Sequence, residues 1–298
     1  MLPMPTSPAR LGLLLALLAA LGFSLKAIFI KLAYPYGVDA ITLLALRMSF
    51  SLPVFLWVGL REHRSGDALT GGDWWRLCVL GVLGYYGASI LDFWGLQYIS
   101  AGLERLILFT YPTLTILIGV VFQGKRFSWR EGLALLLCYL GIALAFAHDL
   151  SFGQTDAVLL GGGLVFASSI CFALYLSGSG PMIARLGAMR FTALAMLVSS
   201  AVTLLHFLAT HSPATLLQPW PVYGWALAMA AFSTVVPVFA QSAAIRRIGA
   251  GRSALLGMLG PLLTIALGWW VLGEAMSLAQ LAGAGLVVAG ILVVTRRH

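Results

Sequence analysis

The chain has 298 residues, of which 60% are hydrophobic and 9% are charged, and its formal net charge is +8. Soluble globular domains carry a charge on roughly a quarter of their residues, so this composition excludes an ordinary soluble domain and indicates a polytopic membrane protein. The basic excess does not indicate nucleic-acid binding, because the Lys and Arg residues stand between apolar runs and form no long basic block.

Ten apolar segments follow one another along the chain. A helix that spans the hydrocarbon core needs about 20 mostly apolar residues, and charged or Gly/Pro-rich breaks divide the sequence into ten such stretches. The first is interpreted as a retained helix, because its apolar run resumes after Lys26. The predicted segments are Leu11 to Ala33, Ala40 to Leu60, Trp74 to Tyr98, Gly102 to Gln123, Glu131 to Ala147, Ala157 to Leu176, Ala188 to Ala209, Tyr223 to Ile245, Ser253 to Leu272 and Leu278 to Thr295.

The two halves of the chain match when the sequence is shifted by 149 residues. The recurring residues include Ala101, Gly102, Pro112, Leu114, Thr115 and Gly124, which return as Ala250, Gly251, Pro261, Leu263, Thr264 and Gly273. This duplication predicts two repeats, residues 1–149 and 150–298, in one transmembrane body with a solute site between them. Five helices per half is an odd number, so the second repeat is inverted. The predicted fold class is therefore an all-α membrane protein of ten transmembrane helices in two inverted repeats.

The distribution of basic residues predicts the orientation. If the N-terminus is cytoplasmic, 14 of the 18 Lys and Arg residues fall on the inner side. They are Arg10, Arg61, Arg64, Arg76, Lys125, Arg126, Arg130, Arg185, Arg190, Arg246, Arg247, Arg252, Arg296 and Arg297. Under the positive-inside rule, we expect both termini in the cytoplasm and the protein in the cytoplasmic (inner) membrane.

Three charged residues lie well inside predicted helices. At a rise of 1.5 Å per residue, Lys26, Arg47 and Asp92 each lie about 10 Å from the outer surface. A charge at a helix centre costs about 2.5 to 3.5 kcal/mol on insertion scales, so such residues usually line a pathway or pair with one another. Two cations with one anion leave a positive excess that would attract a substrate carboxylate. Arg105, by contrast, is expected at shallow depth near an outer loop.

Two interpretations of this cluster stay open. In the first, Lys26 and Arg47 bind the anionic end of a substrate. Asp92 or Glu104 then exchanges a proton if transport is proton-coupled. In the second, the cluster is structural: Lys26 pairs with Asp92. Arg47 then pairs with Glu104 or Asp39, and the pairs tie four helices together.

Helical spacing predicts what surrounds these charges. One face of the third predicted helix and one face of the fourth carry polar and aromatic residues, whereas the positions 149 residues later hold small or neutral ones. The first two faces are Tyr85, Ser89 and Asp92, and Glu104, Leu108, Tyr111 and Thr115; their counterparts are Thr234, Val238 and Gln241, and Ser253, Gly257, Gly260 and Thr264. The expected cavity has a charged outer part and a smoother inner part, which suits a solute with one ionic end and an apolar body.

Proline positions predict helix kinks. Pro112 and Pro261 are 149 residues apart and lie inside predicted helices, where proline frees a backbone carbonyl. A membrane tolerates this only where protein or a water-filled cavity satisfies the freed group. We expect both kinks to belong to the architecture that the two halves share.

Motifs for other chemistry are absent or incomplete. The run from Gly119 to Arg126, GVVFQGKR, lacks the final Ser/Thr of a phosphate-binding loop and follows a predicted transmembrane helix. The three cysteines and five histidines show no metal-ligand spacing. We therefore predict no catalytic residues, no metal and no cofactor, and the protein is not expected to be an enzyme.

Several stretches resemble the EamA family of the drug/metabolite transporter (DMT) superfamily. They are GFSLKAIFIK from Gly22, Arg47 in the second helix, YISAGLERLILFTYPTLTILIG from Tyr98, and GAGRSALLGMLGPLLTIALGWWVLGE from Gly249. The resemblance implies two repeats of five helices and a central cavity lined chiefly by helices one, three, four, six, eight and nine. Carried over, it implicates Lys26, Tyr85, Asp92, Tyr111, Tyr175 and Gln241 in substrate binding. One departure is Gln123-Gly124-Lys125, which stands where the family has Leu-Gly-Glu; the second copy, Leu272-Gly273-Glu274, is standard.

Together these features predict a secondary transporter that exports or exchanges a small metabolite by alternating access. The substrate is expected to bear a carboxylate, as an amino acid or organic acid does. The alternative is a flippase for a lipid or another amphipath, since a polar head and an apolar tail fit the same asymmetric cavity. The expected partners are a small-molecule substrate, the lipid bilayer and, if transport is proton-coupled, protons, but no nucleic acid.

Overall fold

The computed structural model describes residues 8–63, 68–124, 128–152, 155–248, 256–257 and 259–295, and these residues form helices without any strand. Helical pieces joined by a π-helical turn, and the two pieces on either side of Phe109 and Thr110, share one label here. The helices are α1 (Pro8–Ala33), α2 (Ala40–His63), α3 (Gly71–Gly81, Val82–Gly87 and Ala88–Gly95), α4 (Ala101–Leu108 and Tyr111–Gln123), α5 (Trp129–Phe152), α6 (Thr155–Leu186), α7 (Ala188–Thr210), α8 (Trp220–Ala228, Met229–Val235 and Val236–Ile248), α9 (Gly260–Leu267 and Gly268–Leu272) and α10 (Leu278–Thr295). Short 3-10 turns cover Tyr34–Tyr36 and Pro213–Leu216.

Each predicted apolar segment coincides with one of these helices in the described residues. Seven helices, α1 to α4 and α6 to α8, are long and apolar enough to cross a membrane, and α5, α9 and α10 contain shorter apolar stretches. The chain is thus a multi-pass membrane protein, and the count of ten spans stays a prediction. The start of the ninth predicted segment, including Ser253, lies outside the described residues, as do Arg64, Lys125, Arg126, Arg252, Arg296 and Arg297.

The largest difference from the predicted boundaries is at the end of α6. The segment was expected to end at Leu176, but the helix continues to Leu186 with Pro181 inside it. Gly178 packs so closely on α3 that a Cβ there would come within 2.8 Å of Leu80, and the Ser179 hydroxyl donates to the carbonyl oxygen of Leu176. Packing and local hydrogen bonds therefore override the weak helix propensity of this Gly/Ser-rich stretch.

The main helix contacts each join a helix of the first half to a helix of the second. α1 packs mainly on α8 and α9, α6 packs on α3 and α4, α2 packs on α7, and α5 packs on α10. Where α5 crosses α10, a Cβ on Gly141 would lie 2.5 Å from the carbonyl oxygen of Gly283, and one on Gly290 would lie 2.8 Å from that of Ala134. Glycine at these crossings lets the backbones approach closely, as at many membrane helix interfaces.

Interruptions recur at corresponding places in the two halves. π-helical turns occupy Val82–Gly87 in α3 and Met229–Val235 in α8. Gly124 and Gly273 end α4 and α9 in the left-handed conformation, with φ of 64° and 67°, which an L residue with a side chain adopts only with strain. The π-helical turns carry residues of the bundle interior, and the glycine caps end their helices.

The two ends of the bundle are each held by polar contacts. We call the end that contains Ala33, Ala40 and Ala101 the upper end, and the end that contains Gly71 and Leu186 the lower end. At the lower end, Thr70 and Asp73 form a capping box that begins α3, and Asp73 accepts a hydrogen bond of 2.8 Å from Arg185 of α6. At the upper end, the Tyr34 hydroxyl donates to the carbonyl oxygen of Phe93.

Candidate functional site

A cavity of about 530 Å³ lies in the middle of the bundle, between α1, α3, α4, α6 and α8, with Arg47 of α2 and Met196 of α7 completing its wall. Binding sites for small molecules typically enclose roughly 300 to 1,000 Å³, so a metabolite fits. The charged and polar lining residues are Lys26, Arg47, Tyr85, Ser89, Arg105, Tyr111, Ser168, Ser233, Thr234 and Gln241.

Lys26 stands between the cavity and two carboxylates. Its Nζ lies 2.6 Å from Oδ2 of Asp92 and 3.5 Å from Oε1 of Glu104. The Lys26 side chain is 18% exposed, whereas those of Asp92 and Glu104 are 1% and 0% exposed and do not line the cavity. The structure thus brings Lys26 and Asp92 together, as the structural interpretation expects, and places Glu104 beside them.

The backbone at the upper end fixes this cluster. Glu104 lies in the first turn of α4, which Ser100 caps by accepting a hydrogen bond from the N–H of Leu103. The N–H of Ala101 donates to both carboxylate oxygens of Glu274, at 3.0 and 3.1 Å. A carboxylate at a helix N-terminus satisfies a free N–H and complements the helix dipole. The buried start of α4 is thereby held against the segment that follows α9.

Arg47 binds neither of the carboxylates that the structural interpretation offered. Glu104 faces Lys26, and Asp39 instead caps α2 by accepting from the N–H of Ile41 and of Thr42. The Arg47 Nη2 donates to Ser89 Oγ at 3.1 Å, and its guanidinium lies 5.2 Å from the centroid of the Phe93 ring. Arg47 is 5% exposed, and within the described ranges no carboxylate lies at ion-pair distance from it.

Arg105 is a site residue that the sequence interpretation missed. It is 8% exposed and lines the cavity. Its guanidinium lies 5.0 Å from the Phe109 ring centroid and packs on α9, where a Cβ on Gly260 would meet Nη2 at 3.0 Å. Among the residues that the structure describes, it also has no carboxylate at ion-pair distance. The glycine leaves room for the guanidinium at the cavity wall.

The spacing along α4 contained a signal for Arg105. The cavity is lined at the i, i+3, i+4 and i+7 positions that begin with Arg105, namely Arg105, Leu108, Phe109 and Pro112. The predicted face, which began one residue earlier at Glu104, shares Leu108 and Tyr111 with the lining, while Glu104 and Thr115 lie outside it. A shift of one residue turns a helix face by about 100°, so a face that begins at Glu104 leaves Arg105 out.

Aromatic side chains form the wall beside α6. Tyr111 lies 5.0 Å from Phe172, ring centroid to centroid, and the Tyr85 hydroxyl lies 3.0 Å from that of Tyr175. Tyr175 is 5% exposed and stands behind Tyr85, outside the lining. A Cβ on Gly84 would lie 2.3 Å from the Tyr175 ring, so this glycine allows the ring to pack directly on α3. Tyr175 therefore positions Tyr85, which itself faces the cavity.

The wall formed by α8 carries neutral groups. The π-helical turn of α3 contains Tyr85, and the corresponding turn of α8 contains Ser233 and Thr234. Gln241 lines the cavity further along α8. Within the described part of the chain, Thr234 Oγ1 has no hydrogen-bond partner. The expected asymmetry thus appears between the charged lining residues, which come from the first half, and the neutral polar groups of α8.

The two repeat-related prolines lie where helices restart. α4 is interrupted at Phe109 and Thr110 and resumes at Tyr111, with Pro112 in its first turn. α9 begins at Gly260, with Pro261 in its first turn, and the residues before it are only partly described. Thr110 bonds to Ser169 at 2.9 Å, and the Ser24 hydroxyl donates to the carbonyl oxygen of Gly260 at 3.2 Å. Neighbouring hydroxyls therefore satisfy polar groups at both interruptions.

The charged side chains that line the cavity in the described residues are the cations Lys26, Arg47 and Arg105. Buried guanidinium groups bind carboxylates through charge-assisted, often bidentate hydrogen bonds. No group of three His, Cys, Asp or Glu residues that would hold a metal ion occurs in the described ranges. The arrangement therefore favours recognition of an anionic group by cations at one end of the cavity and of an apolar body by the aromatic wall.

Comparisons with known proteins agree with this architecture. The model of the EamA-like transporter family matches twice, over residues 10–147 and 159–296. An uncharacterized transporter of Bacillus subtilis, YcbK, is 31% identical over 283 residues, which cover 93% of this chain and 90% of the relative.

Two further comparisons concern a named exporter and a solved structure. A probable terminal-alkyne amino-acid exporter of Streptantibioticus cattleyicolor is 26% identical over 275 residues, covering 88% of this chain and 85% of the exporter. One crystal structure superposes with a TM-score of 0.67 at 18% identity and covers 96% of both chains. A likeness at that identity shows the fold alone.

Proposed function

Because the chain belongs to the EamA-like transporter family, we propose that it exports or exchanges a small carboxylate-bearing metabolite by alternating access. The family and its named relatives are transporters and not enzymes. The observation that carries this proposal is the pair of buried arginines in the central cavity. Arg47 and Arg105 lie in a space of about 530 Å³ and have no carboxylate partner within the described residues. The amino-acid exporter among the relatives supports a carboxylate as cargo.

In the proposed site, different residues bind the carboxylate and the body of the substrate. Arg47 and Arg105 bind the carboxylate, and Lys26 adds positive charge beside them. Tyr85 and Tyr111 contact the body of the substrate, with Gln241 opposite them on α8. Asp92 and Glu104 share one ammonium group, so a proton on either carboxylate balances the cluster. They are therefore the proposed proton carriers if transport is coupled to protons.

Alternating access follows from the proposed inverted repeat of five helices. Three observations support two-fold pseudosymmetry: the same family model matches both halves, the π-helical turns occur at corresponding positions, and the α5–α10 contact is reciprocal. In that contact the Cys138 thiol donates to the carbonyl oxygen of Val287, 149 residues away. A Cβ on Gly141 would meet the carbonyl oxygen of Gly283, and one on Gly290 would meet that of Ala134. Reciprocal pairs of this kind are what a two-fold axis requires.

Counterflow in proteoliposomes tests the proposed function. Vesicles containing the purified protein are preloaded with unlabelled phenylalanine, leucine, lactate, phenyllactate or succinate, and uptake of the same labelled compound is measured. We expect accumulation above protein-free vesicles for at least one of these carboxylates, and loss of that accumulation in Arg47→Gln and in Arg105→Gln. Accumulation of none of them, or full accumulation in both variants, would overturn the proposal.

A matched arginine provides the control. Arg61 stacks on Trp57, with its Cζ 5.5 Å from the ring centroid, as the cavity arginines stack on Phe93 and Phe109. It is exposed at the lower end of α2, so Arg61→Gln should retain counterflow. Scrambling of a fluorescent lipid in the same vesicles tests the flippase alternative, and we expect a rate equal to that of protein-free vesicles.

A further inference from the structure

The charged lining of the cavity has one sign. Its charged residues are Lys26, Arg47 and Arg105, and no Asp or Glu lines it in the part of the chain that the structure describes. The neighbouring undescribed residues 249–255 and 258 contain no Asp or Glu in the sequence either. A cationic group on a substrate would thus find no carboxylate on the cavity surface.

The acidic residues nearby are already engaged. Asp92 and Glu104 both face the ammonium of Lys26 and are 1% and 0% exposed. With both carboxylates ionised the three cations leave one positive charge in excess, and with a proton on either carboxylate they leave two. An anionic substrate lowers this excess in both states, whereas a zwitterion leaves it uncompensated in a buried site, where charges are poorly tolerated.

The two rings that the cavity arginines contact are already engaged by a cation. Rings attract cations through their faces, but Arg47 already lies over Phe93 and Arg105 over Phe109. In an α-amino acid the ammonium is on the carbon next to the carboxylate, so a carboxylate held by these arginines would bring the ammonium close to them. Like charges at that range oppose binding.

We propose that the site selects a carboxylate of net charge −1 without an amino group, such as a 2-hydroxy or 2-oxo acid with an apolar side chain, and discriminates against the amino acid with the same skeleton. This selection rests on the proposed function, because it assumes that Arg47 and Arg105 hold the carboxylate. The cations reject the amine by repulsion while they attract the acid, which makes charge the basis of specificity.

Matched ligands test the selection. Dissociation constants are measured by titration calorimetry on the intact protein for two sets: 3-phenyllactate, phenylalanine and phenethylamine, and 2-hydroxyisocaproate, leucine and isopentylamine. In at least one set, we expect the hydroxy acid to bind at least about tenfold more tightly than the amino acid, and the amine not to bind. Equal or tighter binding of the amino acid in both sets, or binding of neither hydroxy acid, would overturn the selection.

A charge-reversal variant and the counterflow assay separate the possible failures. Ser89 accepts the hydrogen bond from Arg47, so Ser89→Asp places a carboxylate beside that guanidinium. The variant should reduce the difference between the dissociation constants of the amino acid and the hydroxy acid. An unchanged ratio of these constants would contradict the charge mechanism. If amino acids bind more tightly than the matching hydroxy acids and Arg105→Gln abolishes that binding, the proposed function is retained and only the proposed selection fails. If no carboxylate binds or shows counterflow, the proposed function fails as well.

Discussion

At the scale of single residues, the ammonium of Lys26 determines whether the buried carboxylates are tolerated. It lies within 3.5 Å of both Asp92 and Glu104. Lys26→Met removes the shared cation and leaves two carboxylates in a dry site. Breaking a buried ion pair by removing one partner costs about 3 to 5 kcal/mol, so we expect a clear drop in the thermal unfolding temperature of the purified protein.

Removal of one carboxylate provides the matched comparison. Glu104→Gln leaves a one-to-one pair of Lys26 with Asp92, whose atoms are 2.6 Å apart, and should change the unfolding temperature little. The double variant Lys26→Met/Glu104→Gln should fall between the two single variants. If Lys26→Met unfolds at the wild-type temperature, the ammonium does not compensate both carboxylates and this description of the cluster is wrong.

The sequence predicted the pairing of Lys26 with Asp92 but missed Arg105, and the difference has a physical reason. Counting residues along helices places Lys26, Arg47 and Asp92 at one level, because the rise per residue of an α-helix is constant, and Lys26 and Asp92 are indeed in contact. Counting does not show which face of a helix turns towards the cavity. Arg105 lies one turn before the break at Phe109 and Thr110, and its direction depends on the space that Gly260 leaves on α9.

At the scale of helices, Glu274 anchors the start of α4. It accepts from the N–H of Ala101 at 3.0 and 3.1 Å, across 173 residues of sequence. Hydrogen bonds to charged groups contribute about 1.5 to 3 kcal/mol, so Glu274→Ala should destabilise the first turns of α4. Hydrogen exchange should show faster exchange of the amides of residues 101–107 in that variant.

Glu274→Gln is the graded control for the same contact. Glutamine keeps an acceptor oxygen but loses the charge, so it should restore part of the protection at residues 101–107. Unchanged protection in Glu274→Ala would show that packing alone holds this end of α4. At the corresponding position 149 residues earlier the sequence has Lys125, so the carboxylate cap is a feature of the upper end.

Helix positions were predicted well where apolar length decides them and less well where packing does. α10 begins at Leu278, the predicted start, and is helical through Thr295, the last described residue, because a clear apolar run begins there. α6 runs ten residues past its predicted end, since contacts between Gly178 and Leu80 keep a Gly/Ser-rich stretch helical. The π-helical turn at Val82–Gly87, where Tyr175 packs on Gly84, has no sequence signal of this kind.

At the scale of the whole molecule, the proposed orientation places the upper end outside the cytoplasm. In a variant whose three cysteines are replaced, Tyr36→Cys adds a thiol at an exposed upper position and Ala68→Cys adds one at an exposed lower position. A membrane-impermeant maleimide should label the first in intact cells and the second only after permeabilisation. The reverse pattern would contradict cytoplasmic termini and the positive-inside argument.

The architecture of the molecule was easier to predict than its binding site. The repeat of 149 residues in the sequence is matched by the two family segments, which begin at residues 10 and 159. The site depends on which of several nearby charges pair with each other, and a repeat does not specify that. The sequence allows Glu104 to pair with Arg47, yet Glu104 faces Lys26. Because Glu104 pairs with Lys26, the cavity arginines are available to a ligand.

The position of a bound carboxylate tests the central claim most directly. A crystal structure with 3-(4-bromophenyl)lactate would locate the bromine by its anomalous scattering and the carboxylate by its density. We predict the bromine beside the aromatic wall of Tyr85, Tyr111 and Phe172, and the carboxylate within hydrogen-bond distance of Arg47 and Arg105. A ligand bound outside the cavity, or one whose carboxylate points towards Gln241 and away from both guanidinium groups, would contradict the account.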